Sequence, residues 1–337
     1  MNPIFIRTSH KIVGIWLGMG FLFLAFWSSM AFGQTTTSPA TVLEAIFHYD
    51  DNSTEHIIMM TSRLSRAVIA VTIGASLAVA GALMQALTRN PIASPSIFGI
   101  NAGALFFVVF ATVFFSFHSL IQLMWFAFLG AAIAAVMVFT LGSLGRERLS
   151  PIKIILAGTA LTALFSSFTQ GLLVLNEQSL EGVLFWIGGS VSGRSIEMLQ
   201  PIWPLMLGAG VLSFFLARSI NILTSGEDIA KGLGQKVISV KIGMSISIVI
   251  LAGGSVAVGG SIGFVGLIVP HIVRSMVGTD YRWILPYSAI CGASLLLLAD
   301  IGARFIIMPE EMPIGVMTAM IGAPFFIYLA RRGVNQK

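Results

Sequence analysis

The sequence predicts an all-α, multi-pass membrane protein of about ten helices, and three observations predict it. The chain is 56% hydrophobic and only 10% charged, with mean hydropathy +0.92, outside the range of water-soluble domains. Apolar runs recur ten times at lengths that cross, or nearly cross, about 30 Å of hydrocarbon. Their flanking charges are one-sided. With the N-terminus placed inside, fifteen of the nineteen Lys and Arg fall in cytoplasmic loops, Arg146, Arg148 and the C-terminal Lys337 among them. Only Arg63, Arg66, Arg194 and Arg304 fall outside, where Glu55, Glu177, Glu310 and Glu311 also collect.

Composition excludes several function classes. The net charge of +5 comes without a basic run, so these charges orient the chain and do not bind nucleic acid. Cys291 is the single cysteine, which rules out an internal disulfide. No GxxxxGK(S/T) phosphate loop occurs, so ATP hydrolysis is not expected on this chain, and no nucleophile-and-base constellation marks an enzyme. His271 has no histidine at metal-ligand spacing (His10, His48, His56 and His118 lie far off), so no metal site and no bound cofactor are expected.

The expected spans are 12–32, 67–87, 97–117, 119–142, 154–175, 199–219, 237–258, 261–277, 285–306 and 313–330. The first follows Arg7, His10 and Lys11 and is longer than a secretory signal core of roughly 7–15 residues, so it is read as a retained span. The second ends in Gln85, Arg89, Asn90 and Pro91, with Pro95 close behind. Asn90 before proline is biased out of helical geometry, so the chain breaks here, either as a plain turn or as a hydrogen-bonded hinge.

In the fifth span Thr159, Thr162, Ser166, Thr169 and Gln170 fall on one helix face. Such a stripe lines an aqueous path or bonds helix to helix, and spacing does not choose between the two. After the sixth span, the loop 224–236 reads TSGEDIAKGLGQK. Ser225 is expected to cap a short helix, Glu227 and Asp228 to suit its positive end, and Gly234 to stop it. That segment is a docking peg for a partner or a solvated connector.

The stretch from Gly253 to Arg304 combines membrane-grade apolarity with Gly253, Gly254, Gly259, Gly260, Gly263 and Gly266, with Pro270, and with Asp300 beside Arg304. Loosened helices at membrane depth survive only where protein or water surrounds them, which makes this a working region. Asp300 is the only acid within a span, and Arg304 one turn on can neutralise it. That disfavours an ion-coupled secondary transporter, which needs unpaired buried charge. A purely structural membrane subunit would in turn have no need of the 224–236 loop. The run Gly74 to Gly81, GASLAVAG, is echoed by GGSVAVGG from Gly253 to Gly260 in a span of opposite direction. Either the chain holds an inverted repeat, or small residues recur where helices pack closely.

Three motifs in order resemble one family. They are RLSRxxxAxxxGxxLAxxGxxMQxxxRNPIASPxxxG, GxIGFVGLIVPHxxRxxxGxDxRxxLPxSAxxGAxxLLxADxxAR and ExPIGVxTAxxGxPFFIxL, spanning Arg63 to Leu329. They are similar to those of the FecCD-type permeases, membrane subunits of ATP-binding-cassette importers for iron chelates, haem and cobalamin. The resemblance implies a single membrane domain over 1–337 with a type II importer fold, segments 63–175 and 237–330 being inverted repeats. It implies a second permease subunit, two cytoplasmic ATPase subunits that carry the ATP, an extracytoplasmic substrate-binding protein, and a place in a bacterial cell membrane.

Carried over by position, Glu227, Asp228, Ala230, Gly232 and Gly234 resemble the loop that couples to the ATPase. Arg63, Arg66 and Arg304 resemble outer-face arginines that receive acids of the binding protein. Of these three, only Arg304 has an evident partner within the chain. Ser65 stands where the family usually has proline. Gln85, Asn90, Pro91, Thr162, Ser166, Gln170, Gly263 and Pro270 are the expected path or hinge residues. The segment GGSVSGRS at 188–195 is most similar to iron-siderophore members, so ferric siderophore is the expected cargo, with haem and cobalamin as alternatives.

Overall fold

The structure is a computed structural model that describes residues 3–33, 39–117, 119–143, 151–176 and 179–334. His118, Arg146, Arg148, Glu177 and Lys337, used in the sequence reading, lie outside the described residues. Ten apolar helices stand where ten spans are expected. They are α1 (Thr8–Ala31), α2 (Leu64–Thr88), α3 (Ile100–Phe115), α4 (Leu120–Ser143), α5 (Pro151–Leu175), α6 (Trp203–Thr224), α7 (Val237–Gly259), α8 (Val265–Val277), α9 (Tyr281–Phe305) and α10 (Ile314–Val334). Short helical turns at Pro39–Phe47, Thr54–Ile57, Ser179–Gly188, Ile196–Leu199 and Glu227–Gly232 occupy the connections, and a π-helical turn, Ile58–Arg63, leads into α2.

Seven of the ten are long and apolar enough to cross a membrane; α3, α8 and the apolar part of α10 are shorter. The shortfall has local causes. Pro95–Phe98 forms a 3-10 turn closed by Gly99 at φ +67°, so α3 begins at Ile100 instead of 97. Gly260 at φ +73° and Phe264 at φ +65° hold residues 260–264 out of helix, so α8 begins at Val265 instead of 261. A non-glycine residue at positive φ is strained. Here the strain places the Phe264 ring against α10, so close that a Cβ on Gly322 would lie 2.3 Å from the ring.

The core is organised around α2 and α7, the most buried of the long helices. Helix α2 packs on α7, α8 and α9, while α7 packs on α2, α3 and α4. Close approach needs small residues. A Cβ on Gly74 would lie 2.3 Å from the Gly292 carbonyl oxygen, and one on Gly81 only 1.9 Å from that of Gly266. With no hydrophobic force between helices in lipid, such backbone contact supplies the packing attraction instead. The remaining helices flank this centre: α1 lies on α9, α6 on α7 and α9, α5 on α3 and α4, and α10 on α8 and α9.

Candidate functional site

Helix α2 carries polar residues at both ends, and each end is the centre of a cluster. At its start Arg63 is 5% exposed, and its guanidinium donates to the Met30 and Ala31 carbonyls at 2.8 and 3.1 Å. Arg304, in the last turn of α9 and 2% exposed, donates to the Ser29 and Phe32 carbonyls, both at 2.8 Å, and to Ser29 Oγ at 3.0 Å. Two cations thus satisfy the last, otherwise unpaired carbonyls of α1 and suit the negative end of its dipole. Arg66 grips Asp300 through Nε and Nη2, at 2.8 and 2.7 Å, and Glu311 through Nη1 at 2.6 Å. Asp300 is fully buried and also pairs with Arg304.

This corrects two expectations. Arg66 as well as Arg304 has a carboxylate partner within the chain, and none of the three arginines stands exposed; the Arg66 side chain retains 11% of its surface. The pairing escaped the sequence because Arg66 and Asp300 are 234 positions apart. Glu311 sits on the connection after α9. Burial pushes its carboxyl up, but hydrogen bonding from Ser192 and the Arg66 charge outweigh that and hold it below the usual glutamate range.

Arg194 is the fourth outer exception. It is 6% exposed, lies over the Trp186 ring at 4.9 Å and reaches Met198 Sδ at 4.0 Å. Burial lowers its guanidinium to about 10, which leaves it protonated at neutral pH. Only its position against the orientation rule pointed to it.

At the other end of α2, Arg89 takes a left-handed conformation (φ +51°) and Asn90 accepts from the Ile92 N–H at 3.1 Å, so the chain breaks as expected, in a turn over Pro91. Gln85, 3% exposed, donates to the Gly266 and Leu267 carbonyls at 3.4 and 3.2 Å. Pro270 has no N–H to offer Gly266 four residues earlier, so the Gln85 amide fills the place that the proline leaves empty. The Gln85 oxygen accepts from Arg274, which also donates to Tyr281 Oη at 3.1 Å. Arg89 in turn donates to the Leu223 carbonyl at 3.2 Å, tying the turn to the end of α6.

The α5 stripe is graded. Thr169 is buried and bonds back to Phe165 at 2.7 Å, Thr162 and Ser166 are half-buried, and Thr159 and Gln170 are exposed. Gly263 faces open space within the 260–264 bend.

Beyond α6 the six-residue helix Glu227–Gly232 is capped at its C-terminal end. Gly234, at φ +77°, donates to Lys231 O and Gln235 to Ala230 O, both at 2.9 Å, closing a Schellman motif as expected. Its start differs from expectation. Gly226 occupies the N-cap, while Ser225 ends α6 and donates to the Asn221 carbonyl at 3.3 Å. Ala230 is buried underneath, Glu227 pairs with Lys241 at 2.5 Å, and Ile229 and Leu233 stand 55% and 68% exposed. Asp280, the N-cap of α9, was not read from the sequence. Burial would raise it, but Arg282 and Asn221 bond to it and hold it at about 2.

Comparison with known proteins agrees along the whole chain. The profile of the FecCD transport family matches residues 21–332. A Bacillus subtilis chain named as a siderophore transport system permease, YfiZ, is 54% identical over 329 residues, 98% of each chain. The hemin transport system permease HmuU of Yersinia pestis is 38% identical over 83% of this chain and 85% of its own. A solved structure described as a metal-chelate type ABC transporter in an inward-facing conformation superposes with TM-score 0.81 at 30% identity, covering 94% of this chain and 98% of that one.

Proposed function

The chain belongs to the FecCD transport family, a multi-pass membrane permease and not an enzyme, and from that premise we propose that it passes ferric siderophore complexes into a bacterial cytoplasm. The observation that carries this reading is the 54% identity, sustained over 98% of both chains, with a permease named for siderophore transport. Haem is the second reading, favoured by the 38% identity with a hemin permease.

The work is driven by ATPase chains that pair with permeases of this family. We assign two of them to the cytoplasmic side, with ATP bound there and none on this chain, together with a second permease subunit and an extracytoplasmic binding protein. The helix Glu227–Gly232 supports the ATPase contact. Rigidly capped, it presents Ile229 and Leu233 to a partner that would cover them. With that helix inside, the N- and C-termini are cytoplasmic and the three-arginine cluster faces the binding protein. We assign the cluster an acidic partner from the positions of Arg63, Arg66 and Arg304 in the family motif, although within the chain Asp300, Glu311 and, beside Arg63, Glu55 already balance the three arginines.

The inverted repeat of 63–175 on 237–330 is supported by packing, since α2 sits on α7, α8 and α9 as α7 sits on α2, α3 and α4. The exposed part of the α5 stripe, Thr159 and Gln170 with Thr162 and Ser166 beside them, suits a weakly interacting path wall.

The test is uptake. Deleting the gene is expected to abolish growth on one ferric siderophore while other iron sources still serve. Loss of haem or cobalamin use in place of siderophore use would overturn the cargo and leave the transport mechanism standing.

A further inference from the structure

Among the described residues, Arg194 is the buried cation that no carboxylate balances. Arg66 and Arg304 share Asp300, Lys241 holds Glu227, and Arg63 lies within reach of the Glu55 charge, whereas burial alone acts on the Arg194 guanidinium. Its contacts hold it still without neutralising it. The guanidinium lies over the Trp186 ring at 4.9 Å and reaches Met198 Sδ through Nη1 at 4.0 Å, and both of those side chains are themselves buried. The backbone around it is fastened too. Ser190 donates its N–H to the Gly259 carbonyl at 2.8 Å, Ser261 to that of Trp186 at 2.9 Å, and Arg194 to that of Val191 at 3.4 Å.

One edge of the guanidinium stays unused. Nε and Nη2 have no hydrogen-bond partner among the described residues, yet both reach the 6% of surface that the residue keeps, unlike Arg304 Nε, which is unpaired and fully buried. These two nitrogens form the edge on which a carboxylate sits with two parallel hydrogen bonds. The chain shows that fit once already. Arg66 grips Asp300 through its own Nε and Nη2, at 2.8 and 2.7 Å, and Ser192, two positions before Arg194, accepts from Arg66 at 3.5 Å and bonds Glu311. Of two neighbouring forks, one is satisfied within the chain and the other is not. A guanidinium held away from water without a counter-charge is costly, and an anion from outside the chain would relieve that cost.

We propose that Arg194 is a specificity-determining residue for the cargo, the edge formed by its Nε and Nη2 taking a free carboxylate of an anionic iron chelate. This rests on the reading of the chain as an iron-chelate permease, and on the orientation that puts Arg194 at the extracytoplasmic end, where cargo arrives. The narrow exposure suits a single carboxylate group on a small molecule better than the broad face of a docked protein. It also narrows the cargo. Chelates that keep a carboxylate free of the metal qualify, and so do the propionates of haem, whereas a tris-hydroxamate complex or the amides of cobalamin offer no anion for the fork. Because Trp186 and Met198 fix the guanidinium before the anion arrives, little of its rotational freedom is left to lose on binding.

The test measures binding and stability, not uptake, so it can fail while the siderophore reading stands. The detergent-solubilised permease, in its complex with the ATPase, is titrated at constant ionic strength with citrate and with the neutral trimethyl ester of citrate, and the thermal midpoint is followed. Citrate is expected to raise the midpoint saturably and the ester to leave it unmoved. Arg194→Met is expected to weaken citrate by about tenfold or more. Arg194→Lys, which keeps the charge and loses the fork, is expected to weaken it several-fold. Without citrate, Arg194→Met is expected to match the wild-type midpoint or exceed it, because the variant removes an unbalanced buried charge and keeps an apolar stem on Trp186. A clear fall in that citrate-free midpoint would make Arg194 a structural cation and overturn the proposal. So would an equal response to citrate in the wild type and Arg194→Met, which would place the anion elsewhere. A wild type that ignores citrate would overturn it too, and if docking of the binding protein then weakens in Arg194→Met, the fork belongs to a protein carboxylate.

Discussion

The two ends of α2 solve the same problem, polar groups held away from water, with opposite chemistry. The N-terminal end uses full charges: Arg66 on Asp300 and Glu311, and Arg63 and Arg304 on the carbonyl end of α1. The C-terminal end uses a neutral amide, Gln85, to meet the carbonyl freed by Pro270, with Arg274 on its oxygen. The difference teaches where each end is vulnerable. Removing one carboxylate at the N-terminal end strands buried cations, whereas removing the amide at the C-terminal end strands only hydrogen bonds.

The largest expected effect follows from that contrast. Asp300→Asn leaves Arg66 and Arg304 facing each other across a fully buried site, and breaking a buried pair in this way costs about 3–5 kcal/mol. The thermal midpoint of the detergent-solubilised chain is expected to fall steeply, and its membrane level with it. Gln85→Leu is expected to cost less, about 1–3 kcal/mol for buried groups left without partners. Both are read in one thermal assay. If Gln85→Leu proves as damaging as Asp300→Asn, the contrast between charged and neutral ends breaks.

Much of this architecture was legible and some of it was not, for physical reasons. The ten helices, the break at Asn90 and Pro91, and the stop at Gly234 are local matters of hydropathy and backbone preference, so the sequence carries them. Arg66 with Asp300 and Gln85 with Arg274 are 234 and 189 positions apart. Such pairs depend on how helices rotate and cross, which periodicity does not reveal. The cap at Gly226 was misread as Ser225 because α6 continues far enough to make Ser225 its own last turn. The resemblance implied arginines that face a partner, and only packing shows that Arg63 and Arg304 bond the carbonyl end of α1.

Gly234→Trp sharpens the comparison at the C-terminal end of α2, which Arg89 links to α6 and thus to the short helix. A Cβ at Gly234 meets nothing within 4 Å, so the side chain starts into open space and the positive φ is the strain expected, roughly 1–2 kcal/mol. Transport is expected to be lost while the chain still reaches the membrane and ligand is still captured. Gly234→Asn, which tolerates that backbone, is expected to keep most transport. Normal uptake by Gly234→Trp would remove this surface from the ATPase contact.

The smallest effect tests the N-terminal end of α2 by pH. Glu311 is held below its ordinary value, so the folded chain binds its proton less readily than the unfolded chain does. The stability this contributes is fully present above the unfolded value of about 4.3 and is lost as pH falls through that value toward the lower, folded one. Because the Glu311 side chain is 24% exposed, the contribution is expected to be on the order of 1 kcal/mol or less, far below that of Asp300. The thermal midpoint of the wild type should therefore decline between about pH 5 and pH 3 more than that of Glu311→Gln, in which this carboxylate cannot titrate. Parallel curves would mean that Glu311 adds nothing beyond the Asp300 contact. In that case Arg66 depends on Asp300 alone, and Glu311 is a neighbour that a partner's carboxylate could displace at no cost.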